Sequence, residues 1–195
     1  MPSANEVLNK LFGSPSKVKL IRFFVSNSDN FFSFEEISGR TKIRNDTLRK
    51  EIFLLSKINF FKSFKKNGAE KWSLNPSFLF LKPLKNLILF SMPVSYDELL
   101  DKLKRTGRLK LVILSGVLIQ EDNDSKIDIM IVGDNIAKGK VNKILKNIES
   151  EIGRELSYAL MTAQEFHYRL DIRDKFIREI LESSHQKILD RLKIF

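Results

Sequence analysis

The chain has 195 residues, 43% hydrophobic and 30% charged, with a formal net charge of +10. This suits a soluble globular protein rather than a disordered one and allows one large domain or two small ones. There is no cysteine, which excludes disulfides and thiolate metal sites, and no apolar run approaches the ~20 residues of a membrane span. The segment MPSANEVLNKLFG lacks the basic-then-apolar pattern of a signal peptide, so a cytoplasmic location and no membrane contact are expected. The charge is unevenly distributed: residues 1–95 hold 16 Lys/Arg against 7 Asp/Glu, and residues 96–195 hold 18 against 17. An excess confined to one half points to a polyanionic partner for that half, with double-stranded DNA the first expectation.

In chain order, SPSKVKLIRFFVS places Pro15 at a helix start, where the missing N–H costs nothing, and Val18, Ile21, Phe24 and Val25 follow at helical spacing. FFSFEEISGRT offers Ser33 and Glu36 at capping-box spacing and a short helix ending near Gly39. After TKIRN comes NDTLRKEIFLLSKINFF, with Leu48, Ile52 and Leu55 on one face and Lys50 and Lys57 opposite. FFKSFKKNGAEKWSLN then reads as a hairpin, because Asn67-Gly68 suits a tight primed turn. Helix, short helix, turn, helix and basic hairpin is the order of a winged helix-turn-helix. In such a module the third helix enters the major groove and the hairpin lies along the phosphates. Arg44, Asn45, Thr47, Arg49 and Lys50 are the candidates for base edges or phosphates. Lys62, Lys65, Lys66, Asn67 and Lys71 are those for the wing.

LNPSFLFLKPLKNLILF leads out of this half; Pro76 and Pro83 are read as breaks, and LKNLILF from Leu84 as a connecting helix. SMPVS, residues 91–95, marks the boundary between a domain over 1–90 and another over 95–195. In the second half Ser95 and Glu98 open the helix YDELLDKLKRTG. LKLVILSGVLI and KIDIMIVGD read as buried strands, KGKVNKILKNIESEIG as a helix and ELSYALMT as a third strand. Thr162 and Glu165 cap AQEFHYRL, and KFIREILESSHQKILDRLKIF reads as an amphipathic helical tail. His167 and His185 then fall on helices, each without a partner at i+4 that would suggest a metal site.

The residues SG, a loop and SKIDIMIV resemble the minimal nucleotidyltransferase domain. That family joins a Gly-Ser turn to an Asp-x-Asp strand and places a third Asp on a later strand. The resemblance implies carboxylates that hold two divalent metals on a triphosphate. Gly116 matches the Gly, but Val117 stands where the Ser belongs. Asp128 matches the second Asp, Lys126 occupies the place of the first, and Ser157 takes that of the third, with Glu155 the nearest carboxylate. Gly116, Lys126 and Asp128 are therefore assigned to a vestigial nucleotide site, with no metal, no cofactor and no catalytic residue expected. Over most of the chain, LNPSF, IVGD and EIGRELSYALMTAQEFHYR resemble winged-helix proteins fused to such a domain, a family of transcriptional regulators.

The fold class expected is α+β: an N-terminal winged helix-turn-helix followed by a small mixed α/β nucleotidyltransferase-like domain. The function expected is a sequence-specific DNA-binding regulator, with the second domain serving dimerisation, partner binding or nucleotide sensing. A homodimer is expected for a protein reading a two-fold site. The alternatives are an active nucleotidyltransferase using Asp128 and Glu155, and an antitoxin-type protein bound to a protein partner.

Overall fold

Short polar side chains set the helix starts. Ser14, Ser33, Ser95, Thr162 and Asp174 each accept a backbone N–H from the turn they open. These caps satisfy donors that the helix itself leaves without partners. At Ser33 the capping box is complete, since Glu36 also accepts the Ser33 N–H at 2.6 Å. The computed structural model describes residues 4–66, 68–91, 94–119 and 126–194, with backbone only at Lys66, Leu89 and Phe90. It is a mixed α+β chain that divides into two compact units, residues 1–93 with 147–154, and residues 94–146 with 155–195.

The first unit contains α1 (Ala4–Phe12), α2 (Pro15–Ser26), β1 (Phe32–Ser33), α3 (Phe34–Thr41), α4 (Asn45–Lys57), β2 (Phe61–Lys66), β3 (Ala69–Leu74) and α5 (Leu81–Phe90). Its sheet has the antiparallel order β1-β3-β2. Phenylalanine makes the core: the Phe24 ring lies 4.5 Å from Phe61 and 5.3 Å from Phe23, with Phe32, Phe60, Ile37 and Leu48 buried around them. The helix α1 carries little sequence signal beyond Leu8, which it buries. Pro83 does not break α5 but sits in its first turn, where its ring removes only an N–H that had no helical acceptor.

Residues 147–154, which end helix α7 (Lys138–Ile152), also belong to the first unit. Their backbone carbonyls are its acceptors. Arg22 Nη1 donates to Glu151 O at 3.1 Å, the Ser26 hydroxyl to Ile152 O at 3.2 Å, and the Asn27 amide to Gly153 O at 2.5 Å. Arg22 is only 2% exposed and also donates to Asn5 Oδ1 and Ser91 O. Burial pushes its guanidinium down to about 10, and the Glu151 charge opposes that shift. Gly153 has φ +81, and a Cβ there would lie 2.5 Å from the Phe23 Cα. Only glycine allows that approach at low cost.

The second unit contains α6 (Tyr96–Lys104), β4 (Arg108–Ser115), a 3-10 turn (Gly116–Ile119), β5 (Ile129–Asp134), the start of α7, β6 (Tyr158–Met161), α8 (Ala163–Asp171), α9 (Lys175–Glu182) and β7 (His185–Asp190). Its sheet order is β6-β5-β4-β7, with β5 and β6 parallel and the other pairs antiparallel. The central strands β4 and β5 are buried on both faces. Leu111, Ile113, Met130 and Val132 pack with Phe166, Ile177 and Ile180, while Val112, Leu114, Ile129 and Ile131 are buried on the other side. The tail departs from the expected continuous helix. After Ser183-Ser184 the segment HQKILD becomes β7 and pairs with β4, Val112 opposite Leu189, which also moves His185 from a helix to a strand.

Candidate nucleic-acid interface and carboxylate site

Helix α4 buries Leu48, Glu51, Ile52 and Leu55 and leaves Arg44, Asn45, Lys50 and Lys57 exposed, with Thr47 partly covered. The turn before it is braced. Thr41 Oγ1 donates to Ile37 O at 2.6 Å, and Ser38 Oγ donates to Asn45 Oδ1 at 2.7 Å. Lys42 takes the left-handed conformation at the end of α3, and Arg44 occupies the N-cap position of α4 without a side-chain cap bond. Asn45 is therefore partly committed to the turn. Arg49 lies 4.6 Å from the centroid of the Phe34 ring, which holds its guanidinium over α3 by a cation–π contact. Arg44 and Lys50 remain exposed charges of the helix.

The hairpin divides its lysines between two faces. Lys62 pairs with Ser73, Phe64 with Lys71 and Lys66 with Ala69, while Lys65 pairs with Glu70 and Ser63 with Trp72. Opposed residues share a face and successive residues alternate. Lys62 and Lys71 therefore take one face by register, and Lys65 shares the other with Glu70. Lys71 is half-buried, its Nζ 3.9 Å from Glu36 Oε2. Glu36 is held below the usual carboxylate range, first by the Ser33 N–H and, more weakly, by the Lys71 charge. Asn67 lies outside the described residues. Gly68 has φ +78, and Lys66 pairs with Ala69.

Apolar residues exposed on this unit had no counterpart in the sequence reading. On α4, Phe53 is 58% exposed and Ile58, just beyond its end, is 55% exposed; Lys57 Nζ lies 4.5 Å from the Phe53 ring. The signal was present in the run IFLL, which has more apolar residues than one buried face can use.

Around Asp128 the structure corrects the expected strand. β5 begins at Ile129, so Lys126 and Asp128 precede it and do not share a strand face. Asp128 is 5% exposed. Its Oδ2 accepts the Ser157 N–H at 2.9 Å and its Oδ1 the Val117 N–H at 3.4 Å. The carboxylate thus joins the 3-10 turn after β4 to the approach to β6. Gly116 supplies the bend, with φ +56. Lys126 does not pair with Asp128; its Nζ contacts Glu179 on α9, and that ammonium holds the Glu179 carboxyl below its usual range. Glu155 and Ser157 precede β6, and both are exposed. Asp134 ends β5 and accepts the Ala163 N–H at 3.4 Å.

Among the described residues no group of three or more His, Asp or Glu side chains is placed to hold a metal ion, and no helix is long and apolar enough to cross a membrane. Comparisons with protein-family models, curated proteins and solved structures found no match to this chain.

Proposed function

We propose that the chain is a DNA-binding transcriptional regulator. In this reading the first unit is a winged helix-turn-helix, and the second is a nucleotidyltransferase-like domain that has lost catalysis. The element order α2-β1-α3-α4-β2-β3, with its small antiparallel sheet, supports the first assignment. The single observation that carries the function is the outward set of cations on α4 and the hairpin. Arg44, Lys50, Lys62 and Lys65 are exposed on a half of the chain that holds nearly all the excess positive charge. Phosphate contacts by such residues fix position on the duplex, and Arg44 with Thr47 and Lys50 lie nearest to where base edges would be read.

In the second unit the amide-bound Asp128 and the Lys126–Glu179 pair support the loss of two-metal chemistry. A two-metal site needs converging carboxylates, and here Asp128 meets two backbone N–H groups while the cation Lys126, just before it in the chain, pairs with Glu179. A self-associating role for the protein fits a two-fold DNA site.

Fluorescence anisotropy of a labelled duplex, titrated with the full chain across a salt series, tests the reading. Binding whose logarithm falls linearly with the logarithm of salt is the expected result. A salt-independent affinity, or none at all, would reject it.

A further inference from the structure

The second unit holds a pocket that no part of the DNA-binding reading uses. It has a volume of about 380 Å³ and lies among α8, α9 and β7. That is within the ~300–1,000 Å³ range of small-molecule sites. Leu170, Ile177, Leu181 and Ile194 give it an apolar lining, and Arg169, Arg173, Arg178 and Lys187 surround that lining with cations.

Most of these charges are already engaged. Arg169 Nε and Nη2 donate to Glu165 Oε1 at 3.1 and 2.9 Å. Arg178 Nε is 3.7 Å from Glu182 Oε1, and Lys187 Nζ donates to Ile194 O at 2.8 Å and lies 3.6 Å from Asp190. Of the two lining carboxylates, Asp174 accepts the Phe176 and Ile177 N–H groups as the cap of α9, and Glu182 is the partner of Arg178. Arg173 differs. Its backbone is fixed in the turn between α8 and α9, with φ +53 and its N–H bonded to Leu170 O at 3.0 Å. Its side chain is exposed and bonds to no described residue.

We propose that this pocket binds a small organic anion with an apolar body, an aryl or medium-chain acyl carboxylate or sulfonate. The head group pairs with Arg173, and the body covers Leu170 and Leu181. The lining rewards burial of apolar surface, and the cationic rim selects the sign of the head group. A neutral apolar ligand gains only the first term, and an inorganic anion only the second.

The test is a titration of the full chain, ¹³C-labelled at isoleucine and leucine methyls, with naphthalene-1-sulfonate and, separately, with the neutral naphthalene-1-sulfonamide. The sulfonate is expected to shift the methyls of Leu170, Ile177, Leu181 and Ile194 and to bind about tenfold more tightly than the sulfonamide. Arg173→Gln, an exposed change that preserves the turn, is expected to remove about that tenfold while leaving sulfonamide binding unchanged. Leu181→Trp, which fills the cavity from a half-buried position, is expected to abolish both sets of shifts. Shifts confined to Leu54, Ile58 and Leu87, which line an apolar groove of the first unit, would overturn the proposal. So would equal affinities for the two probes, or sulfonate binding indifferent to Arg173→Gln.

Discussion

The two units handle charge in opposite ways. In the first, Arg44, Lys50, Lys62 and Lys65 stand in solvent, and Arg22, the one buried cation among the described residues, is enclosed by carbonyl and amide oxygens. In the second, the residue that invites a catalytic reading, Asp128, is turned inward and bound by two backbone amides. The contrast shows that a charged residue's chemistry depends on which of its atoms remain unspent after folding. A solvated lysine keeps its field available to a polyanion, whereas the Asp128 carboxylate is engaged in bracing two loops.

The contrast can be broken or sharpened by mutation. The largest effect is expected at Gly153, where Ala must accept a left-handed backbone and a contact with the Phe23 main chain; denaturant unfolding should register a loss of about 3 kcal/mol. Next comes Asp128→Ala, which strands the Ser157 and Val117 N–H groups and should cost about 2 kcal/mol. A carboxylate kept for metal binding behaves otherwise, because its removal relieves repulsion; unchanged or raised stability in this variant would undo the inward assignment. The triple change of Lys50, Lys62 and Lys65 to Ala should leave unfolding nearly unaltered, since all three are exposed. It should also flatten the salt slope of DNA binding by about 3.

Two smaller effects follow. Ser33→Ala removes the cap of α3 and should lower stability by about 1 kcal/mol, read as a shift in urea midpoint. Lys126→Ala acts through pH. Lys126 lowers the folded pKa of Glu179, so its contribution is present above the unfolded carboxyl value of 4.5 and is lost as pH falls through the lower folded value. The variant should therefore show a shallower loss of stability on acidification, and the Glu179 carboxyl should titrate higher by NMR.

Much of this fold was legible in the residues because the signals are local. Ser33 and Glu36 specify a capping box within one turn, and the run FFKSFKK with AEKWSL specifies an antiparallel strand pair. Leu48, Ile52 and Leu55 specify which side of α4 turns inward. What was not legible depends on distant partners. HQKILD continues the pattern of α9 so smoothly that only the Ser183-Ser184 break hinted at a change, and its strand character comes from pairing with β4. Asp128 was visible as a carboxylate. Nothing near it announced that amides 11 and 29 residues away would claim both its oxygens. Lys126 was likewise visible, but its partner Glu179 arrives only when α9 is in place.

The carbonyls of Glu151, Ile152 and Gly153 that receive Arg22, Ser26 and Asn27 have a consequence for how the protein is made. The amino-terminal unit is not completed by residues 1–93 alone, because one acceptor of its buried guanidinium, the Glu151 carbonyl, and the acceptors of Ser26 and Asn27 are translated only after residues 94–146 of the second unit. A gene cut at residue 93 would encode the whole α4 surface yet leave Arg22 Nη1 without its Glu151 acceptor, while Nη2 keeps those at Asn5 and Ser91.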